Sequence, residues 1–242
     1  MALLDVKSVS KRFGALRAVD GVTFSVEAGE IFGIAGPNGS GKSTLFNILT
    51  KIPFGPDTGE VIFDGKPMSA YRADAIVRLG LVRTFQRETC FESLSVFENA
   101  MLSAISSRPE RVTTEAVSEA LGLLGFSEQE FARPAQLLSV FDRKRLMMAS
   151  AVACRPKMIL LDEPASGLTK PEIDKSAEYV RSIVERGTAI LLIEHVLPFL
   201  MSLSTKMMVL NNGRIIGLGD PHTVMRDEAI VEAYLGSRKL PQ

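Results

Sequence analysis

Gly36-Pro37-Asn38-Gly39-Ser40-Gly41-Lys42-Ser43-Thr44 follows directly on the apolar run Ile31-Phe32-Gly33-Ile34-Ala35. The stretch satisfies G-x-x-x-x-G-K-[ST], and residues 43–51 continue it with a helical pattern. Glycines let the backbone curl until successive N–H groups face a phosphate chain, and a helix N-terminus adds positive potential there. Lys42 is placed to reach the β- and γ-phosphates of a nucleoside triphosphate, and the Ser43 hydroxyl to sit on Mg²⁺. A glycine-rich turn matching by chance is the bland alternative. The strand before and the helix after make it the poorer one.

Working outward, Met158-Ile159-Leu160-Leu161-Asp162-Glu163 is an apolar strand that ends in two carboxylates. Placed at the carboxyl end of a strand, Asp162 can join a Mg²⁺ shell while Glu163 polarises an attacking water. In isolation the same pattern is a buried strand with an acidic turn. The phosphate loop earlier in the chain favours the chemical reading. His195 follows another apolar strand, Ala189–Ile193, and either contacts a γ-phosphate or merely caps the strand. Gln86, after Arg83-Thr84-Phe85, is either a surface residue or one that contacts water and metal.

Strand patterns at 22–26, Ile31–Ala35, 61–63, 158–161, Ala189–Ile193 and 207–210 are separated by glycines, turns and helical stretches. Unbroken apolar runs with helices between them belong to a buried parallel sheet. Asn212-Gly213, between Val209 and Ile216, signals a hairpin. Residues 87–155 turn helical, as at 115–124, where apolar positions recur at helical spacing. The expected architecture is α/β, with that helical segment inserted in the core.

The chain has 242 residues, 28 basic and 28 acidic, so nothing in its charge invites a nucleic acid. Its two cysteines, Cys90 and Cys154, are too few for a disulfide framework and fit a reducing compartment. No apolar run reaches the about 18 residues that span a bilayer. The start, MALLDVKSVSKRF, lacks the pattern of a signal peptide. A cytoplasmic chain is expected.

These residues, in this order, resemble the ATP-binding cassette family over nearly the whole chain. The resemblance makes residues 36–44 the Walker A loop, Gln86 the Q-loop, Asp162 the Walker B aspartate, Glu163 the catalytic glutamate and His195 the switch histidine. It makes Phe13 the aromatic that stacks on adenine, and residues 165–169 the D-loop. It implies a P-loop NTPase core with a mostly parallel sheet, an antiparallel β subdomain and an inserted helical subdomain at about 87–155, all within one domain, 1–242. ATP and Mg²⁺ are the implied cofactors. The implied partners are integral-membrane permease subunits and a second cassette, with this chain peripheral on the inner face of the cell membrane. Arg83-Thr84-Phe85-Gln86, Glu163-Pro164-Ala165-Ser166-Gly167-Leu168, Ile193-Glu194-His195 and Val231-Glu232-Ala233-Tyr234-Leu235-Gly236 are similar to ATPases of branched-chain amino acid importers. Lipopolysaccharide or lipid exporters share several of these phrases, and a weakly hydrolysing regulatory cassette is the other alternative.

One departure stands out. The family signature Leu-Ser-Gly-Gly-Gln begins here at Leu138-Ser139 but continues Val140-Phe141-Asp142. In the family this segment closes over the nucleotide of a neighbouring cassette, and Ser139 can still donate to a γ-phosphate. Phe141 is expected to crowd a backbone approach and Asp142 to repel the triphosphate. Arg143-Lys144-Arg145 is expected to be a solvated helix face. A defect of this kind favours a heterodimer over a homodimer.

Overall fold

The structure is a computed structural model that describes residues 2–86, 89–107, 110 and 112–235. Two sheets form its frame. Strands β1 (Leu4–Phe13), β2 (Leu16–Val26), β4 (Thr58–Phe63) and β5 (Lys66–Pro67) make an antiparallel sheet in the order β2-β1-β4-β5. The other six are β3 (Ile31–Ala35), β6 (Leu81–Arg83), β7 (Met158–Asp162), β8 (Ala189–Ile193), β9 (Lys206–Asn211) and β10 (Arg214–Gly219). They run in the order β10-β9-β3-β8-β7-β6, all parallel except the β9–β10 hairpin at the edge. Asn212-Gly213 makes the turn of that hairpin, with φ 46° at Asn212 and 78° at Gly213.

Alternation explains why β3 and β8, and β7 as far as Leu161, carry no polar side chain. Ile31, Ile159, Leu161, Ile190 and Leu192 enter one hydrophobic cluster, and Phe32, Ile34, Leu160, Leu191 and Ile193 enter the other, on the opposite face. A sheet covered on both faces has no polar side to show. On the second face lies α1 (Lys42–Thr50), with Leu45, Phe46, Ile48 and Leu49 buried. A short α2 (Ala73–Leu79) leads into β6.

Between β6 and β7 the chain is helical: α3 (Val96–Ser107), α4 (Thr114–Leu123) and α5 (Val140–Ala153). Ser95 and Glu98 cap the start of α3 reciprocally, and the Thr113 hydroxyl accepts from Ala116 N–H at the start of α4. Helix α6 (Lys170–Glu185) opens on a Thr169–Glu172 capping box, and α7 (Leu197–Leu203), α8 (Pro221–Val224) and α9 (Glu228–Leu235) complete the described residues. Positions 87 and 88, at the start of the expected insertion, and Gly236, in the quoted tail phrase, lie outside the described residues.

Strands expected at 22–26 and 61–63 are longer, and β1, β5 and β6 add to the expected set. In β1 a register irregularity between Val6 and Val9, with Ser8 at φ 48°, breaks the alternation by which a strand is recognised.

Candidate active site

Parallel strands put their carboxyl ends at one edge of the sheet, and the loops that follow them share that edge. There β3 delivers residues 36–44, β6 delivers Gln86, β7 delivers Asp162 and Glu163, and β8 delivers His195. One cleft is lined by Phe13, Asn38, Gly39, Ser40, Gly41, Lys42, Ser43, Thr44, Gln86, Glu163 and His195. Gly36 and Pro37 form the base of the loop. Asp162 is buried beside Glu163. Ser139 is not among the residues lining this cleft.

The loop conformation demands its glycines. Gly36, Gly39 and Gly41 have φ of 149°, 79° and 107°, and a Cβ on Gly41 would collide with the Ala18 carbonyl oxygen. The β9–β10 turn holds the loop from outside: Gly213 N–H donates to Ser40 O (2.9 Å), and Asp20 N–H to Gly213 O (2.8 Å). Arg214 clamps the Asp20 carboxylate at 2.9 and 2.7 Å. The buried Lys42 ammonium donates to Gly36 O (2.7 Å) and Pro37 O (2.9 Å), which keeps it across the mouth of the loop. Burial pushes its pKa down, opposed by Glu163 and Asp162. Ser43 is exposed at the N-terminal end of α1.

Glu163 stands at the centre. Its backbone is left-handed, φ 53°, a strained choice for a non-glycine residue. Glu163 N–H donates to Ile193 O (2.9 Å), and the Lys144 ammonium donates to Glu163 O (3.0 Å). The carboxylate is gripped from both sides, by His195 Nε2 on Oε1 (2.9 Å) and by Gln86 Nε2 on Oε2 (2.8 Å). Next to it, Asp162 Oδ2 pairs with Arg83 Nη2 at 2.8 Å, both side chains buried. Burial raises the Asp162 pKa and Arg83 pulls it back. Arg83 Nη1 also donates to Asn47 Oδ1 (2.7 Å) on α1, so one guanidinium ties α1 to the end of β7.

The donor set suits Mg²⁺. Ser43, Asp162 and Gln86 offer hydroxyl, carboxylate and amide oxygens, the hard ligands this ion prefers. Among the described residues no group of three or more His, Cys, Asp or Glu side chains could hold a metal by itself. An ion bound by few protein oxygens must take the rest of its shell from phosphate and water, as Mg²⁺ does.

Phe13, 44% exposed, is part of the cleft lining. Phe54 meets it edge-on, with centroids 5.1 Å apart at 70°, and Lys11 Nζ lies 5.7 Å from the Phe13 centroid and 5.1 Å from that of Phe54.

The altered signature differs from expectation at Phe141 and Asp142. Ser139 is the N-cap of α5, and its hydroxyl accepts from Asp142 N–H (3.1 Å). Phe141 turns inward and stacks on Tyr179, with centroids 6.4 Å apart, so its ring does not stand at the helix tip. The Asp142 carboxylate is spent on Arg145, 3.0 Å away. Nor is the basic run a solvated face: Lys144 and Arg145 are buried. Arg145 also binds Glu130 Oε1 and Gly125 O at 3.2 Å and lies 3.7 Å over the Phe126 ring. Arg143, only partly buried, donates to Gln136 O. Val140, 48% exposed, remains at the tip beside Ser139.

Arg83, Asn47, Phe54, Lys144 and Glu194 also shape the site, and the sequence reading gave none of them a role. The ABC transporter family profile matches residues 19–166, well over half of the chain. The chain belongs to the ABC transporter family. It is the ATPase subunit of a transporter, and its activity is ATP hydrolysis coupled to transport.

Among its relatives is the high-affinity branched-chain amino acid transport ATP-binding protein BraF of Pseudomonas aeruginosa, 32% identical over 97% of this chain and 98% of that one. LivG of Escherichia coli, with the same descriptive name, is also 32% identical, with the same coverage. A crystal structure of a nucleotide-free ATP-binding cassette from an ABC transporter superposes with a TM-score of 0.88, at 29% identity, covering 98% of this chain and all of that one. An ATP-binding cassette of an ABC transporter in its ADP conformation gives 0.88 at 30% identity with the same coverage. The family fold, with its P-loop core, is therefore shown. Among the described residues no helix is long and apolar enough to cross a membrane.

Proposed function

We propose that this ABC transporter ATPase energises import of branched-chain amino acids or closely related small solutes. What carries the reading is the end-to-end match to BraF and LivG, at 97% of this chain and 98% of each relative. The phrases around Gln86, Glu163 and His195 support it.

In this reading Phe13 stacks on adenine, and residues 36–44 wrap the phosphates with Lys42 between β and γ. Ser43, Asp162 and Gln86 hold Mg²⁺, which supplies charge neutralisation at the phosphates. Glu163 takes the proton of the attacking water, and its place between His195 Nε2 and Gln86 Nε2 supports that role. His195, exposed on its outer side, is placed to meet a γ-phosphate.

Residues 1–242 act as one nucleotide-binding domain, with the helices between β6 and β7, at about 87–155, as the subdomain that presses on a permease. A groove lined by Phe85, Phe91, Asn99 and Met147 opens between the Gln86 segment and those helices. Phe85 and Phe91, which line it, are exposed, an apolar surface suited to a cytoplasmic loop. The chain works on the inner face of the cell membrane, paired with a second cassette. Val140, exposed at the tip of α5, favours a partner with an intact signature, hence a heterodimer.

The test is purification of the permease and second ATPase that accompany this chain from detergent-solubilised membranes, then reconstitution in vesicles. ATP-dependent uptake of leucine, isoleucine or valine is the expected result. ATP hydrolysis without uptake of any of them would overturn the solute assignment.

A further inference from the structure

Glu194 is completely buried, and none of the roles above uses it. It follows β8 and immediately precedes His195. Its Oε1 accepts from Ala165 N–H at 2.6 Å, while Oε2 accepts from His195 N–H at 2.9 Å and Val196 N–H at 3.2 Å. Ala165 begins the loop that follows Glu163-Pro164, whereas His195 and Val196 begin the loop after β8. One carboxylate thus joins the two segments that flank the catalytic glutamate.

Its surroundings require a carboxylate. All three partners are donors, so an amide in its place would set an N–H against an N–H, and an alkyl side chain would leave three buried donors unmet. Burial pushes the Glu194 pKa up, with the bonds from Ala165, Val196 and His195 opposing it and the Glu163 charge adding to the rise. A second tie crosses the same gap, from Glu163 N–H to Ile193 O.

We infer that Glu194 is a positioning residue that makes the loop of His195 and the loop of Ala165 a single body, and so holds His195 Nε2 on the Glu163 carboxylate. The inference rests on the roles proposed above for Glu163 and His195. Glu194 touches no reacting atom. It acts through the imidazole, whose backbone it pins at the two N–H groups where the loop leaves the strand. A displacement of about 1 Å at a reacting group costs on the order of 100-fold in rate, so loosening this pin reaches the chemistry without altering the phosphate loop.

Glu194→Gln in the full chain, assembled with its transporter, tests this. Expected is a fall in kcat of about 10-fold or more, with ATP affinity within about threefold of wild type. In a His195→Ala background the same substitution should change kcat by less than about twofold, because the group it positions is gone. Equal losses in both backgrounds would mean a general structural role, and an unchanged kcat in the first would mean none; either overturns the inference.

Wild-type protein gives a second arm that needs no variant. The amides of Ala165, His195 and Val196 should exchange hydrogen with protection equal to within about threefold, since one carboxylate holds all three. Exchange at Ala165 more than about tenfold faster than at His195 would overturn the coupling. If His195→Ala alone leaves kcat unchanged, the role given to His195 fails, and the exchange measurement still decides whether the two loops move as one.

Discussion

The phosphate loop at 36–44 and the signature segment at 138–142 are both short stretches at a helix N-terminus, yet they tolerate change very differently. In the loop the proposed binding surface is the backbone itself. Gly41 has φ 107° and lies against the Ala18 carbonyl, so no other residue fits. In the signature segment the backbone is an ordinary capped helix start, and side chains can turn away from the tip. Phe141 goes to Tyr179 and Asp142 to Arg145. The loop has no room for a substitution at Gly41, whereas at the signature segment neighbouring side chains take it up.

That contrast can be broken by experiment. The largest effect is expected from Gly41→Ala, which forces a strained φ and a backbone clash. ATP affinity by calorimetry should fall at least about 100-fold, roughly 3 kcal/mol or more. Lys42→Ala removes the ammonium that spans the loop and should weaken ATP by about 10- to 100-fold, read in the same titration. Unchanged affinity in either variant would mean that the phosphates sit elsewhere.

Phe141→Gly should act on stability and not on nucleotide binding. It removes an aromatic packed on Tyr179 and puts glycine in the first turn of α5. A loss of about 2–3 kcal/mol in denaturant unfolding is expected. A Phe141→Gly protein as stable as wild type, with faster turnover, would show that the ring does obstruct the tip. The smallest effect should come from Val140→Gly, which restores the one altered family position whose side chain is still exposed at the tip. Turnover of the purified chain alone should rise by about threefold, less than 1 kcal/mol of barrier. No rise at all would argue that the tip is already competent and remove the case for a heterodimer.

The same contrast decides what could be read in advance. Gly36, Gly39, Gly41 and Lys42 are legible because a backbone-built site restricts residue type at fixed spacing. Asp162, Glu163 and His195 are legible because each follows an unbroken apolar strand, and parallel pairing carries those strand ends to one edge. Arg143-Lys144-Arg145 was misread because adjacent helical residues lie about 100° apart, so three in a row cannot share one face. Lys144 reaches Glu163 O and Arg145 reaches Glu130 instead. Glu194 shows in sequence only as a break in an apolar run, since its partners are backbone N–H groups that no residue pattern encodes. Arg83 and Asn47 pair across 36 positions through the sheet, a contact that needs the fold before it can be seen.

The central claim is that Glu163, held between His195 and Gln86, takes the proton from water while the phosphate loop does the binding. Glu163→Gln in the assembled transporter tests it most directly, by steady-state turnover and ATP affinity on one preparation. The account predicts turnover at least about 100-fold lower with affinity within about threefold of wild type. Near-normal turnover would contradict it and take Glu163 out of the chemistry.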